Sequence, residues 1–301
     1  MDARTTVRRA LENGLVIPAF NIPYPPMLKA VAEAVRDEDS VAMIHVARLE
    51  WEKFEAVSLE HIAEEYAKYA VPGHTLLHLD HVPVIDEDHL EVDYLGLIER
   101  AIRAGYQSVM VDGSRLDLQG NIAATRAVAD MAHAAGIPVE AELGAVMGHE
   151  TAQAAIPYDE IFEKKLGFTE VGEARTFVEG SHCDWLSVAV GSVHGAIAEN
   201  LKDQKKPAAR LDIERIAQLR QALDIPLVLH GGSGIENDYI TRAIKAGIAK
   251  INVGTELRQP YERAMRERSD VEYAREVVYT RCRELIRDFL HTAGDAAVLG
   301  D

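Results

Sequence analysis

Three histidines stand where an apolar stretch of the chain gives way to polar residues. They are His81 in the sequence HLDH, His194 in GSVHG and His230 in LHGGSG, and Asp80 lies directly beside the first of them. Three histidine ligands can hold a catalytic zinc ion and leave a fourth position open for water or substrate. If the three imidazoles meet, these residues predict an open zinc site with a carboxylate beside it.

Eight short apolar runs are the elements that must bring these histidines together. Nearly continuous apolar runs of this length are typical of strands buried on both faces of a parallel sheet. The runs cover residues 15–21, 41–46, 75–79, 108–112, 139–143, 185–190, 226–230 and 250–253. Each histidine ends or follows one of these runs, so parallel pairing places all three at the same end of the strands.

Amphipathic helical stretches separate these runs. They include residues 26–36, 95–104, 122–135, 213–222 and 238–246. Several stretches are predicted to end at a glycine in the left-handed conformation, namely Gly105, Gly136, Gly180 and Gly247. Alternating strands and helices predict a single (β/α)8 TIM-barrel domain over residues 1–301, with extra C-terminal helices over residues 258–290 on its outside. A doubly wound open sheet is the alternative, but no Gly-x-Gly-x-x-Gly sequence follows the first strand.

The composition limits the partners and the compartment. The chain carries 32 basic and 49 acidic residues, a net charge of −17, which disfavours a nucleic-acid partner. No apolar run is long enough to span a bilayer, so no membrane partner is expected. Two cysteines make no disulfide framework, and the N-terminal stretch has no apolar signal-peptide core. We therefore expect a cytoplasmic protein.

Carboxylates occur at two further strand ends of the predicted barrel. Asp112 and Glu142 are expected to hydrogen-bond a histidine ligand or to bind the metal in an alternative position. Glu140 shares a strand face with Glu142 because side chains alternate, and for Glu140 a solvated polar patch remains an equal alternative. His45 and the other remaining histidines are interpreted as structural, and His78 at most supports a ligand.

Two glycine-containing loops after the last two strands predict a phosphate site. In TIM barrels these loops commonly hold phosphate, and glycines let backbone N–H groups approach the anion. The residues concerned are Gly231, Gly232, Ser233, Asn252, Gly254 and Thr255.

Two other catalytic chemistries are disfavoured. No Gly-x-Ser-x-Gly turn follows a strand, which disfavours a serine hydrolase. Schiff-base chemistry needs a lysine inside the barrel mouth, and Lys250 is predicted at the start of the last strand, the wrong end.

Seven motifs occur in order along nearly the whole predicted barrel. They are AFN at 19–21, HLDH at 78–81, SVMVDGS at 108–114, VEAELG at 139–144, VGSVHG at 190–195, LHGGSG at 229–234 and NVGT at 252–255. With them, the chain resembles the class II, zinc-dependent ketose-bisphosphate aldolases from about residue 15 to residue 261. The resemblance implies a lyase of carbohydrate metabolism that releases dihydroxyacetone phosphate from a sugar phosphate.

The resemblance also implies catalytic and metal-binding roles. His81, His194 and His230 match the zinc ligands, with Asp112 and Glu142 as acidic residues near the metal. Asp80 matches the general acid/base at the hydroxyl of the cleaved bond. Glu150 matches a mobile-loop glutamate that moves the carbon-bound proton, with Glu142 as the next candidate. The expected cofactor is one zinc ion per chain, and a monovalent cation is a second candidate.

The remaining matches concern the substrate. The residues implied in substrate or phosphate binding are Asn21, Gly195, Gly231, Gly232, Ser233, Asn252, Gly254 and Thr255. Several positions depart from the family pattern, and they gather on the aldehyde side. They are Arg48, Arg115, Ala196, Ile197, Ala198 and Gly254. The departures predict a substrate other than fructose 1,6-bisphosphate.

Two other functions stay open beside the aldolase. One is a metal-dependent hydrolase on a TIM barrel, and the other is a non-catalytic aldolase-like subunit. Whichever of these functions holds, the outer C-terminal helices favour a homodimer or homotetramer.

Overall fold

The computed structural model describes residues 1–145, 157–193 and 209–300. Eight parallel strands form a closed barrel in which each strand pairs with the next and the last pairs with the first. The strands are β1 (Ile17–Asn21), β2 (Ala42–Ala47), β3 (Thr75–Pro83), β4 (Ser108–Asp112), β5 (Val139–Leu143), β6 (Trp185–Val188), β7 (Leu227–Leu229) and β8 (Ile248–Val253). The TIM-barrel prediction is confirmed, and each predicted strand overlaps an observed one.

Helices surround the barrel. They are α1 (Ala3–Asn13), α2 (Met27–Asp37), α3 (Arg48–Lys53), α4 (Leu59–Tyr69), α5 (Tyr94–Ala104), α6 (Leu118–Ala134), α7 (Tyr158–Lys164), α8 (Val171–Ser181), α9 (Ile213–Ala222), α10 (Asn237–Ala246), α11 (Thr255–Arg268), α12 (Val271–Glu284) and α13 (Ala296–Leu299), with a π-helix at Leu285–Phe289 between the last two. In the described part of the chain, none of the helices has the length and apolarity needed to cross a membrane.

Two apolar clusters hold these layers together. The larger one fills the space between the strands and the surrounding helices. The smaller one includes Val7 of α1, Ile17, Met43 and Trp185, which lie at or near the starts of their strands. Helix α1 therefore packs at the N-terminal end of the barrel and leaves the C-terminal end for polar side chains.

One predicted helix end is wrong. Gly105 and Gly136 have the expected left-handed backbone, with φ of 88° and 79°. Gly180, in contrast, lies inside α8, and His182 takes the left-handed position with φ of 59°. A Cβ atom on Gly180 would lie 2.8 Å from the Ile122 side chain of α6. The glycine is therefore needed for close helix packing and not for a cap.

A break in the regularity of β3 matters for the site. Its pairing with β4 shifts between Leu79 and Val82, and His81 has a left-handed φ of 25°. In a regular strand, neighbouring side chains point to opposite faces. The irregularity lets the adjacent residues Asp80 and His81 both reach the C-terminal mouth of the barrel.

The C-terminal helices lie outside the barrel, as predicted. Helix α12 packs against α2 and α11. Glu38, at the end of α2, hydrogen-bonds both Arg283 and Arg287. Its backbone oxygen also accepts a hydrogen bond from Gly294 at 2.9 Å. This buried carboxylate connects the C-terminal segment to the body of the domain.

Candidate active site

Two of the predicted zinc ligands meet at the mouth of the barrel. Nε2 of His81 lies 2.7 Å from Nδ1 of His230. Asp112 lies 3.3 Å from the other nitrogen of His81, and Glu140 lies 2.8 Å from the other nitrogen of His230. A carboxylate at the outer nitrogen of each ring fixes its orientation, as is common for metal-binding histidines. His194, the third predicted ligand, lies outside the described residues.

The pKa values of this histidine pair are shifted in opposite directions, so that His81 carries the positive charge and His230 is neutral. Burial lowers the pKa of His81, but the carboxylates of Asp80, Asp112 and Glu142 outweigh burial and raise it to about 10. Burial, and then the charge on His81, lower the pKa of His230 to about 4. The carboxylates that stabilise a positive charge on His81 would also favour a cation at this position.

Two overlapping groups of donor atoms surround His81. One contains Asp80, His81 and His230, and the other contains His81, Asp112 and Glu142, with the atoms of each group within 4.8 Å of one another. The nitrogen and carboxylate donors are those that zinc binds, so the residues fit a divalent ion. The second group is consistent with the alternative metal position expected from Asp112 and Glu142.

Glu142 stands out as a carboxyl group that retains its proton near neutral pH. Its Oε2 accepts a hydrogen bond from the Ser187 hydroxyl at 3.3 Å and lies 3.4 Å from Nδ1 of His230. Burial, followed by repulsion from Asp112, raises the pKa of Glu142 to about 8. It can therefore donate a proton inside the site.

Asp80 is buried and held on both oxygens. Asn252 donates to its Oδ1 at 2.9 Å, and Asn21 donates to its Oδ2 at 3.1 Å. Burial alone would raise the pKa of Asp80, but His45 and His81 hold it well below its ordinary value. Asp80 is therefore ionised and positioned to accept a proton.

A buried ion pair lies directly beneath these residues and bears on the sequence interpretations of Lys250 and Glu140. The backbone of Lys250 pairs with Ile17, the first residue of β1, but its side chain is wholly buried and reaches the site residues, with Nζ 2.8 Å from Glu140 and 2.7 Å from Oδ1 of Asn252. Glu140 is also wholly buried and not part of a solvated patch. Burial raises the pKa of Glu140, but Lys250 and His230 lower it below its ordinary value. Lys250 thus keeps the carboxylate that orients His230 ionised.

The sequence analysis interprets His45 as structural, but the structure places it beside Asp80. It is buried, its Nδ1 lies 3.5 Å from Oδ1 of Asp80, and its ring stacks 5.9 Å from that of His78. His78 binds the Ser108 hydroxyl at 2.8 Å, and burial, followed by Lys250, lowers its pKa well below the ordinary value. The pairing of His45 with His78 across β2 and β3 follows from strand register, which the sequence alone does not fix.

The two glycine loops meet as predicted. The Gly232 N–H donates to the backbone oxygen of Asn252 at 3.0 Å. The buried Ser233 hydroxyl accepts a hydrogen bond from the Glu256 N–H at 3.4 Å. A Cβ on Gly231 would lie 2.4 Å from the Val193 oxygen. Thr255 begins the 14-residue helix α11, so a helix N-terminus adjoins the loop. The N-terminal end of a helix is a common binding site for anions.

The two arginines expected near the aldehyde differ in their surroundings. Arg48 begins α3, lies 3.5 Å from Asp86 and 3.8 Å from Glu52, and lines a cavity of about 380 Å³. Arg115 is exposed and follows β4 by three residues. Arg48 therefore faces two carboxylates, whereas Arg115 is exposed to solvent. Gly195 and Glu150 lie outside the described residues.

The chain is similar in sequence and structure to known proteins. A family model described as class-II fructose-bisphosphate aldolase matches residues 1–296. The YdjI aldolase from Escherichia coli K12 is 29% identical, with 98% of each chain covered and a TM-score of 0.75. A putative fructose-1,6-biphosphate aldolase from Coccidioides immitis is 25% identical, with 98% of each chain covered and a TM-score of 0.77. Fructose-bisphosphate aldolase from Campylobacter jejuni, at 18% identity with coverage of 94% and 93% and a TM-score of 0.68, shares the fold.

Proposed function

Because the chain belongs to the class II fructose-bisphosphate aldolase family, we propose that it is a zinc-dependent aldolase. It would cleave a ketose phosphate reversibly to dihydroxyacetone phosphate and an aldehyde. The observation that carries this proposal is the meeting of His81 and His230 beside the ionised carboxylate of Asp80. Together these residues would offer a binding site for the cation and a base for the same cleavage reaction.

The proposed zinc ligands are His81, His194 and His230. When bound, zinc supplies a Lewis acid that withdraws charge from a substrate carbonyl. Asp112 and Glu140 orient the first and third of these histidines through their outer nitrogens. A monovalent cation is a further expected cofactor.

Asp80 would remove the proton from the hydroxyl group of the departing aldehyde. Asn252 and Asn21 hold its two oxygens, so the carboxylate does not need to reorient during proton transfer. A positioned general base of this kind contributes about 10²–10⁴-fold to the rate. Asn21 and Asn252 would also contact the substrate.

The proton returned to carbon is assigned to Glu150. The second candidate is Glu142, because its raised pKa leaves it protonated near neutral pH. Exchange of the carbon-bound proton of dihydroxyacetone phosphate with solvent distinguishes them. Glu150→Gln should slow this exchange while phosphate binding survives, and unchanged exchange would transfer the role to Glu142.

The phosphate of dihydroxyacetone phosphate is assigned to the two glycine loops. Gly231, Gly232 and Ser233 provide one side, and Gly254 and Thr255 at the start of α11 provide the other. Gly195 would contribute from the loop after β6. The close approach of backbone to backbone at Gly231 and Gly232 supports this assignment because a side chain there would not fit.

A panel of ketose phosphates, assayed for dihydroxyacetone phosphate release, tests the proposed function. We expect release from at least one compound, and a substrate other than fructose 1,6-bisphosphate should be preferred. A kcat/KM of about 10⁵ M⁻¹s⁻¹ or more for the fructose compound, above all others, would contradict that preference. Cleavage by water of a bond other than carbon–carbon would favour the metal-hydrolase alternative. No reaction by the metal-loaded protein would favour the non-catalytic subunit.

A further inference from the structure

A buried carboxyl group, Glu50, lies just behind the site and has no role in the mechanism above. It belongs to α3, the six-residue helix that directly follows β2 at the mouth of the barrel. The residue is 8% exposed, and its Oε2 accepts a hydrogen bond from the Ala47 N–H at 2.9 Å. Capping this short helix needs only one acceptor oxygen, so it does not explain why an ionisable carboxyl group is buried here.

The Asn21 side chain connects Glu50 to Asp80. Its amide nitrogen donates to Oδ2 of Asp80 at 3.1 Å, and the same side chain is a hydrogen-bonding partner of Glu50. A Cβ on Gly254 would lie 3.0 Å from Oδ1 of Asn21, so the amide oxygen faces that glycine. An amide nitrogen carries two hydrogens and can serve two carboxyl groups at once.

The charged groups around Glu50 act in opposite directions. Burial, together with the charge of Asp80 on β3, raises the pKa of Glu50 to about 8, whereas the Ala47 N–H, Asn21 and Arg258 lower it. Arg258 on α11 is itself paired with the buried Glu262, at 2.8 and 2.9 Å. Glu50 therefore changes from neutral to charged in the mildly alkaline range.

From this geometry we propose that Glu50 is a positioning residue that, through the Asn21 amide, holds the carboxylate of Asp80 in its reactive orientation. An ionised carboxylate binds an amide N–H more strongly than a protonated one, so the amide is held best when Glu50 is charged. The inference rests on the proposed role of Asp80 as general base. It adds a residue from the helix α3 after β2, which the sequence motifs do not include.

The isosteric substitution Glu50→Gln tests this role, with Glu52→Gln on the same helix as the matched control. With the ketose phosphate that the protein cleaves best, kcat of the unaltered protein should rise through about pH 8. Glu50→Gln should lack this rise and lose roughly threefold to tenfold in kcat above pH 8, with KM nearly unchanged, as expected for one hydrogen bond. Glu52→Gln should match the unaltered protein.

A double-mutant cycle shows whether the effect passes through Asn21. In an Asn21→Ala background, Glu50→Gln should cause no further loss, because the connecting amide is already gone. Additive losses, or pH profiles of Glu50→Gln and the unaltered protein that coincide, would overturn the proposal.

An infrared measurement separates this inference from the proposed function. The carbonyl stretch of a protonated carboxylic acid should disappear from the unaltered, folded protein as pH rises through about 8. Glu142 also loses its proton in this range, so the contribution of Glu50 is the part of the band that Glu50→Gln lacks, and this part should be shifted in Asn21→Ala. A protein that cleaves no ketose phosphate but shows this titration would refute the proposed function alone. An active protein in which Glu50→Gln removes no part of this band would refute the role of Glu50 alone.

Discussion

Asp80 depends on its surroundings to stay charged in a buried position. Two amide groups donate to its oxygens, and two imidazoles lie near it. Water contributes little to stabilising the charge of this carboxylate, since the side chain is 2% exposed. The proton affinity of Asp80 is therefore set by fixed protein dipoles and charges, which do not have to reorganise when the proton moves.

Replacing Asp80 by asparagine should lower kcat by about two or more orders of magnitude, because the base is lost while shape and hydrogen bonding are largely kept. The metal content, measured by elemental analysis, should stay the same, since Asp80 is assigned to proton transfer and not to metal binding. Loss of metal together with activity would show that Asp80 is a ligand.

Glu140→Gln should affect metal binding rather than proton transfer. The substitution weakens the partner that orients His230, which should lower metal affinity by about 10–100-fold. It also leaves the buried Lys250 without a charge partner, a change that costs about 3–5 kcal/mol of unfolding free energy. Metal titration and denaturant unfolding measure the two effects, with the exposed Glu12→Gln as control. Unchanged metal affinity would exclude the orienting role.

The strand-end residues of the site could be predicted from the sequence because each follows an apolar run. Asp80, His81 and His230 are brought together as expected. Glu140, Lys250 and Glu50 could not be placed, because a single sequence gives the alternation within a strand but not the distance between strands. Lys250 is two residues before Asn252, so the alternation of β8 was the one signal that both side chains share a face.

The connection of the C-terminal segment to α2 depends on one buried carboxylate. Burial raises the pKa of Glu38, but Arg283 and Arg287 outweigh it and hold the pKa below its ordinary value of 4.5. A carboxylate with a lowered pKa stabilises the folded state above its unfolded-state pKa, and this stabilisation is lost as pH falls through the folded-state value.

Glu38→Gln should therefore lower the free energy of unfolding by about 1–2 kcal/mol at pH 7. The loss is no larger because Arg283 and Arg287 are partly exposed, and solvent weakens their attraction to the carboxylate. The difference from the unaltered protein should shrink as pH falls below about 4. Denaturant unfolding at several pH values measures it, with Glu33→Gln on the same helix as control. A difference that does not depend on pH would show that packing, and not charge, is responsible.

Helices and strands were predicted more reliably than the ends of helices. The apolar runs and amphipathic stretches locate each barrel element, since burial on both faces leaves a strong pattern. Gly180 was misplaced because close packing and a left-handed turn both favour glycine, and the sequence does not distinguish them. The irregularity of β3 could not be predicted from the sequence either, although it places Asp80 and His81 side by side in the site.

The barrel as a whole gathers residues from distant parts of the chain at one end. All eight strands contribute, including β6 through Ser187, and the helix α1 packs at the opposite end. The strand order follows the sequence, so every strand end adjoins the next around the mouth. This arrangement explains why ordered motifs along the sequence could locate the site.

The association state stays a prediction. The helices α11 and α12 lie on the outside of the barrel, and we expect them to take part in a homodimer or homotetramer. Light scattering after size exclusion should give a molar mass of two or four times 33.2 kDa. A mass of one chain across the working concentration range would rule this out.

Metal removal and restoration test the proposed chemistry most directly. The protein is treated with a chelator, its metal content is measured, and dihydroxyacetone phosphate release is followed before and after zinc is added. We predict that release stops in the metal-free protein and returns as zinc approaches one ion per chain, because His81, His194 and His230 then hold the Lewis acid that cleavage requires. Release at the full rate by protein shown to contain no metal would contradict the proposal.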